Sequence, residues 1–186
     1  DINADGLDDF LIGADVVNGE RGEAYAFFGN ATPDFVNDEV SLDRDGDGFT
    51  ISNPAGYSGA DLGKDLVAIG DMNGDGFTDF AVAASNNYNG YYTVDGRVSV
   101  VFGDAGGLNL NINLNTLDGP NGFHIISDYG SRSGFGDALS AGDLNGDGFD
   151  DLVIGDSNEI AGSPYAGQVL VVFGKSTGCV ASSEAT

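Results

Sequence analysis

A nine-residue acidic loop occurs three times in the chain, and each copy runs directly into a short apolar segment. The copies are residues 1–9, 71–79 and 143–151, called loops 1, 2 and 3 below. Loop 3 reads Asp-Leu-Asn-Gly-Asp-Gly-Phe-Asp-Asp, which places side-chain oxygens at positions 1, 3, 5 and 9. A single copy would indicate only a tight turn, which Asn-Gly and Asp-Gly favour. Three copies in register predict a shared function.

The predicted function of the loops is binding of Ca²⁺, with two to three ions in the chain. Ca²⁺ takes roughly six to eight oxygen ligands at about 2.3–2.6 Å, and alternate residues of a tight loop can all point inward. Glycine at position 6 permits the sharp turn, and the backbone carbonyl at position 7 is a natural further ligand. The predicted ligands are Asp71, Asn73, Asp75, Phe77 and Asp79 in loop 2, Asp143, Asn145, Asp147, Phe149 and Asp151 in loop 3, and Asp1, Asn3, Asp5, Leu7 and Asp9 in loop 1.

Two other interpretations of the acidic segments are weaker. An EF-hand needs a bidentate Glu at position 12 and a helix after it, whereas Ile12, Val82 and Ile154 stand there within strand-like sequence. A further acidic segment, residues 43–49, has Ile51 where the closing carboxylate would be. We therefore expect that segment to be a turn leading into a strand.

The apolar segments predict strands throughout. After each loop come an apolar run, a Gly-containing turn and a second apolar run that ends in Phe-Gly, at residues 28–29, 102–103 and 173–174. Further short runs follow a long loop or precede the next acidic loop. Continuous apolar character indicates strands covered on both faces. Four short antiparallel strands in each unit of 70–74 residues predict an all-β fold made of β-propeller blades.

The third repeat resembles a known family. Residues 133–136 (Ser-Gly-Phe-Gly), 142–148 (Gly-Asp-Leu-Asn-Gly-Asp-Gly) and 151–156 (Asp-Leu-Val-Ile-Gly-Asp) resemble the FG-GAP repeat, which builds the integrin α-subunit propeller and many bacterial extracellular proteins. The resemblance implies a propeller with calcium in its hairpin loops. The second repeat departs from the pattern, because Leu62-Gly63 stands where Phe-Gly is expected.

The repeats predict about two and a half blades, a partial propeller. Residues 1–62 would form blade 1 without its innermost strand, and residues 63–133 a complete blade 2. Residues 134–174 would form blade 3 without its outermost strand, and residues 175–186 a flexible tail or the start of the next strand. Because a blade needs neighbours on both sides, we expect further blades or other copies of the chain to complete the ring.

Charge restricts the class of partner. Lys and Arg total 6 against 30 Asp and Glu, a formal net charge of −24. Such a surface repels nucleic acid and anionic membranes, so we expect neither as a partner. No apolar run approaches the ~20 residues that span a bilayer, which argues against membrane insertion. Loops of this kind often work at extracellular calcium concentrations, so the predicted location is extracellular or at the cell surface.

The predicted function is binding or adhesion to an extracellular protein or polysaccharide, with calcium in a structural role. We expect no enzymatic activity, since no catalytic constellation is recognisable: His124 lacks a Cys or Ser partner at a useful spacing. The pair Tyr91-Tyr92 suits either sugar or protein binding or blade packing, and Cys179 is a free thiol or a boundary residue. Two alternatives stay open, namely the propeller part of a secreted polysaccharide-active enzyme and a structural subunit of an extracellular assembly.

Overall fold

The chain is all-β in the residues that the structure, a computed structural model, describes. Those residues are 1–17, 21–29, 35–36, 39–40, 48–52, 61–85, 87–88, 93–94, 96–104, 111–127, 134–157 and 167–176. The strands are β1 (Phe10–Val17), β2 (Arg21–Phe27), β3 (Phe35–Val36), β4 (Glu39–Val40), β5 (Gly48–Ser52), β6 (Asp61–Gly70), β7 (Asp79–Ser85), β8 (Asn87–Tyr88), β9 (Thr93–Val94), β10 (Arg97–Val101), β11 (Asn111–Asn113), β12 (Gly122–Ile126), β13 (Phe135–Gly142), β14 (Asp151–Asp156) and β15 (Gln168–Val172). One 3-10 turn, Leu114–Thr116, follows β11.

Some of the sequence predictions fall outside the described residues. They are the turn at residues 43–47, the pair Tyr91-Tyr92 and the tail from residue 177 with Cys179. No helix among the described residues has the length and apolar character needed to cross a bilayer.

The middle sheet contains four antiparallel strands in the order β12-β10-β7-β6. Each apolar run of this repeat pairs with the next apolar run along the sequence, as expected for a blade that folds as a meander. The third sheet has the order β13-β14-β15 with the same antiparallel pairing. The predicted fold class, antiparallel blades of a partial propeller, is confirmed.

The first sheet contains a strand that the sequence did not predict. Its order is β1-β2-β5-β11, and β11 pairs with β5 in parallel, with Asn111 opposite Thr50 and Asn113 opposite Ser52. Strand β11 belongs to the connection between β10 and β12 of the middle sheet. The second repeat therefore extends the outer edge of the preceding sheet. Two short hairpins, β3-β4 and β8-β9, are separate from the three larger sheets.

The core lies between the sheets, which stack face to face. Phe80 on one face of the middle sheet packs against Phe49 of the first sheet, with ring centroids 6.0 Å apart. Ala81, on the opposite face, packs in one cluster with Leu152 and Ile154 of the third sheet. Both faces of the middle sheet are thus covered, which explains why its strands are apolar without alternation.

The outer faces of the first and third sheets expose apolar side chains whose equivalents in the middle sheet are buried. Phe10 is 47% exposed, whereas Phe80, one repeat later, is fully buried. Val169 is 64% exposed, whereas Val98, one repeat earlier, is fully buried. The same side chain is therefore covered or exposed according to whether a further sheet packs on that face.

Phe80→Ala should lower the free energy of unfolding by about 3–5 kcal/mol, because the substitution leaves a cavity between two stacked sheets. Phe10→Ala is the matched control at the equivalent position, where the ring is 47% exposed and stacks on Phe27 at 5.0 Å. Its expected cost is about 1 kcal/mol. Urea unfolding of both variants measures the difference, and equal costs would contradict the stacking described here.

Candidate metal centres

The three acidic loops adopt one backbone conformation. Loop 2 joins β6 to β7, loop 3 joins β13 to β14, and loop 1 leads into β1. In every loop, positions 4 and 6 have positive φ, with values from 59° to 94°. Position 4 is glycine in loops 2 and 3 but Ala4 in loop 1, where a Cβ disfavours this conformation. The recurrence in spite of that cost indicates that the acidic residues determine the loop shape.

Hydrogen bonds from the loop backbone hold the side chains at positions 1, 3 and 5 inside each loop. The carboxylate at position 1 accepts the N–H groups of positions 5 and 6 at 2.8–3.1 Å. The Asn at position 3 accepts the N–H of position 5 and donates its Nδ2–H to the carboxylate of that residue. Position 5 in turn accepts the N–H of position 7 at 2.8–3.0 Å. Three oxygen-bearing side chains are thereby gathered on the inner side of one turn.

The aspartate at position 9 joins the loop to the end of another strand. One of its oxygens accepts the N–H of position 2, at 2.5–2.9 Å across the three loops. The other accepts the N–H of the glycine in the Phe-Gly pair, namely Gly29, Gly103 or Gly174, at 2.8–2.9 Å. Asp79 and Asp151 are completely buried. Each of these carboxylates therefore holds two backbone segments together.

The Phe-Gly pair needs glycine because the strand end lies against the loop backbone. A Cβ on Gly103 would lie 2.7 Å from Phe77 Cβ and 2.8 Å from the carbonyl oxygen of Thr78. Gly174 has the same environment, with the carbonyl oxygen of Asp150 at 2.4 Å from such a Cβ. The sequence marked these glycines only as strand ends. The sequence signal that links these glycines to the loops is their recurrence 20 to 24 residues after position 9.

Burial raises the pKa of Asp79 from 3.8 to about 7, although the N–H groups of Gly103 and Met72 oppose the shift, and Asp75 adds a smaller increase by charge repulsion. The raised value means that the folded chain without metal gains stability when Asp79 takes up a proton. That contribution is lost as the pH rises through about 7. A cation near the carboxylate would favour its ionised form and act in the opposite direction.

The donor set fits a hard cation, although the described residues do not present a ready-made cluster. Within them, no three or more Asp, Glu, His or Cys side chains are already arranged to hold a metal ion. An ionised carboxylate has about four lone-pair sites, so one backbone N–H on each oxygen leaves acceptor capacity for a cation. Carboxylate, amide and carbonyl oxygens are also the ligands that Ca²⁺ prefers. Assignment of all fifteen predicted ligands therefore stays a prediction.

His124 lies outside the loops. Its Nδ1 is 3.0 Å from Ser99 Oγ across the β10–β12 pair. Burial, and secondarily the charge of Arg97, lowers the pKa of His124 below its ordinary value, with a smaller opposing effect from the Leu114 backbone. The contact is a cross-strand hydrogen bond between a buried serine and a half-buried histidine, which indicates a packing role.

Comparison with known families identifies the repeat. Residues 66–101 and 135–172 match the FG-GAP repeat family. These segments contain loops 2 and 3, the strands that follow each loop, all of β13 and the second half of β6. The chain contains FG-GAP repeats.

Curated proteins with similar sequences include integrin α chains and phospholipases. Integrin alpha-PS5 of Drosophila melanogaster is 31% identical over 83% of this chain, and integrin alpha-4 of Xenopus laevis is 30% identical over 83%. Phosphatidylinositol-glycan-specific phospholipase D of Homo sapiens is 31% identical over 93% of the chain. The chain spans 14%, 13% and 19% of these proteins, respectively.

The departure from the FG-GAP pattern at residues 62–63 leaves the local structure intact. Gly63 and Gly136 both have a φ of +83°, so the two turns have the same conformation at this glycine. Leu62 is fully buried and Phe135 is 4% exposed. A Cβ on Gly63 would lie 2.6 Å from the carbonyl oxygen of Glu23 in the first sheet, and one on Gly136 would lie 2.9 Å from Ala83 Cβ in the middle sheet. Leucine therefore replaces phenylalanine as a packing residue, while glycine allows adjacent sheets to approach.

Gly103→Ala should destabilise the chain by about 1–3 kcal/mol, because the new methyl group forces the strand end away from loop 2 and from Asp79. Gly155→Ala is the control, since a Cβ there meets Ala138 at ordinary contact distances of 3.4 Å or more. Its expected effect is within about 0.5 kcal/mol. Urea unfolding in EDTA measures both variants without any contribution from metal, and similar losses would refute the role assigned to Gly103.

Proposed function

We propose that the chain is a calcium-stabilised FG-GAP propeller module that binds a protein or polysaccharide partner outside the cell. The observation that carries the metal assignment is the common loop conformation. In three loops, the oxygen-bearing side chains of positions 1, 3 and 5 are turned inward by the backbone N–H groups of positions 5, 6 and 7. Asx-type turns alone need only one such residue, whereas each loop has three, followed by a fourth oxygen-bearing side chain, the aspartate at position 9.

The residues that would hold the ion are those at positions 1, 3, 5, 7 and 9 of each loop. When bound, the ion supplies positive charge that offsets repulsion among the aspartates. The chain then transmits this local effect, because position 9 is also hydrogen-bonded to the Phe-Gly pair that follows β2, β10 or β15. Fixing position 9 fixes the start of one strand and the end of another. A structural role in stabilising the sheets follows from these contacts.

The partner is proposed from three observations. The outer faces of the first and third sheets expose Phe10, Ile12 and Val169, and Leu144 is exposed in loop 3, which favours further blades, or other copies of the chain, as neighbours. Similarity to integrin α chains supports adhesion through a protein partner and a location outside the cell or on its surface. The formal net charge of −24 favours a partner that is neutral or basic on its contacting face.

A second candidate is a module that accompanies a catalytic domain. It is favoured by the similarity to phosphatidylinositol-glycan-specific phospholipase D, which extends over 93% of this chain but 19% of the phospholipase. In that case the propeller would position or stabilise the enzyme, and the calcium loops would keep the same structural role.

Removal of calcium should lower the free energy of unfolding. If the dissociation constant is about 10 μM and free calcium about 1 mM, each filled loop contributes roughly 2.7 kcal/mol. Two or three filled loops therefore predict a loss of about 5–8 kcal/mol in EDTA. Urea unfolding in 1 mM CaCl₂ and in excess EDTA measures the loss, with MgCl₂ as the control because Mg²⁺ demands octahedral geometry and retains its waters. Unchanged stability in EDTA would refute the structural role of calcium.

Asp147→Ala should weaken calcium binding at loop 3 by at least about tenfold, since it removes a carboxylate ligand and frees the N–H of Phe149. Asp118→Ala is the matched control, because it removes the same charge from an exposed turn outside the loops. Isothermal titration calorimetry gives the number of sites and their affinities. The assignment fails if Asp147→Ala leaves both unchanged, or if Asp118→Ala weakens binding equally.

A further inference from the structure

Loops 2 and 3 are joined directly by a reciprocal pair of hydrogen bonds. The N–H of Asp71 donates to Asp150 Oδ2 at 3.1 Å, and the N–H of Asp150 donates to the carbonyl oxygen of Asp71 at 3.3 Å. Asp71 is the first predicted ligand of loop 2. Asp150 is at position 8 of loop 3, between the predicted ligands Phe149 and Asp151. One residue therefore contacts both candidate metal centres without being a predicted ligand of either.

Close backbone packing surrounds this pair. A Cβ on Gly70 would lie 2.0 Å from Asp150 Oδ2, and a Cβ on Gly74 would lie 2.5 Å from the ring of Phe149. The N–H of Lys175 donates to the carbonyl oxygen of Met72 at 2.9 Å. Loop 3 and the segment after the third Phe-Gly thus rest on the first half of loop 2, and glycines provide the space.

Among the described residues, no equivalent side-chain link joins loops 1 and 2. Asp8, at position 8 of loop 1, is exposed and contributes no hydrogen bond to loop 2 or loop 3. Thr78 has position 8 of loop 2 and offers no carboxylate toward loop 1. The carboxylate link is therefore a feature of the pair formed by loops 2 and 3 and does not follow from the repeat pattern alone.

We propose that Asp150 is a positioning residue that couples calcium binding at loops 2 and 3. The inference rests on the proposed calcium function. An ordered loop 3 fixes the position of Asp150, and Asp150 then holds the backbone of Asp71 in place. When loop 3 is filled, loop 2 is already partly ordered and therefore binds calcium more tightly. By linkage, filling loop 2 raises the calcium affinity of loop 3 by the same factor.

Coupling can be measured in the full chain by following the backbone amides of Gly76 and Gly148, at position 6 of loops 2 and 3, by NMR during titration with CaCl₂. Asp147→Ala, which weakens loop 3, should lower the calcium affinity of loop 2 by about fivefold. In the Asp150→Ala background, Asp147→Ala should leave the affinity of loop 2 unchanged. Asp8→Ala is the matched control and should preserve the coupling.

A second readout does not depend on metal. In EDTA, hydrogen exchange at the Asp71 amide should be slow in the unmodified chain and at least about tenfold faster in Asp150→Ala. Asp150→Asn retains an oxygen acceptor, so it should restore slow exchange and most of the coupling. This rescue separates the hydrogen bond from the negative charge of Asp150.

The outcomes distinguish the coupling from the function on which it rests. If neither Gly76 nor Gly148 responds to CaCl₂, the calcium function is wrong and the coupling falls with it. If both respond, but Asp147→Ala leaves loop 2 unchanged in the otherwise unmodified chain, calcium binds and the coupling alone is overturned. Equal loss of coupling in Asp8→Ala and Asp150→Ala would also overturn the role of Asp150.

Discussion

The loop end of these sheets depends on the aspartate at position 9, which is buried in loops 2 and 3 and whose two oxygens join separate backbone segments. One oxygen accepts an N–H from the start of the loop, and the other accepts the N–H of the Phe-Gly glycine. Burying a carboxylate is unfavourable unless hydrogen bonds or a nearby cation compensate it. In Asp79 the remaining cost is evident as a raised pKa. A divalent ion in the loop would offset this cost where the strands are joined.

The same arrangement links local ion binding to the stacking of sheets. The aspartate at position 9 holds the end of the strand that leads into the Phe-Gly pair. The sheet that contains this strand packs face to face against its neighbour. The second and third loops also contact each other through Asp71 and Asp150, so their states are not independent. A structural ion in this setting would stabilise contacts between sheets as well as one hairpin, which suits a module built by repetition.

The strands and loops were predictable because each repeat carries a local signal. Acidic residues at alternate positions followed by β-branched residues determine both the turn and the strand, and fold class followed from their recurrence. Long-range pairing was not predictable. Strand β11 joins the preceding sheet in parallel through three residues, Asn111–Asn113, two of which are asparagines that strands disfavour. The partners of Gly103 and Asp150 were likewise missed. Gly103 contacts Asp79, 24 positions earlier in the chain, and Asp150 contacts Asp71, 79 positions earlier, and only the folded chain brings such distant residues together.

The central claim is that the loops hold calcium through positions 1, 3, 5, 7 and 9, and a crystal structure of the chain grown with CaCl₂ tests it most directly. The account predicts an ion in loops 2 and 3, surrounded by those oxygens at about 2.3–2.6 Å. It also predicts that Asp79 remains bonded to the N–H of Gly103 while it binds the ion. Crystals that show no ion in either loop at millimolar calcium, or an ion held by other residues, would contradict the account.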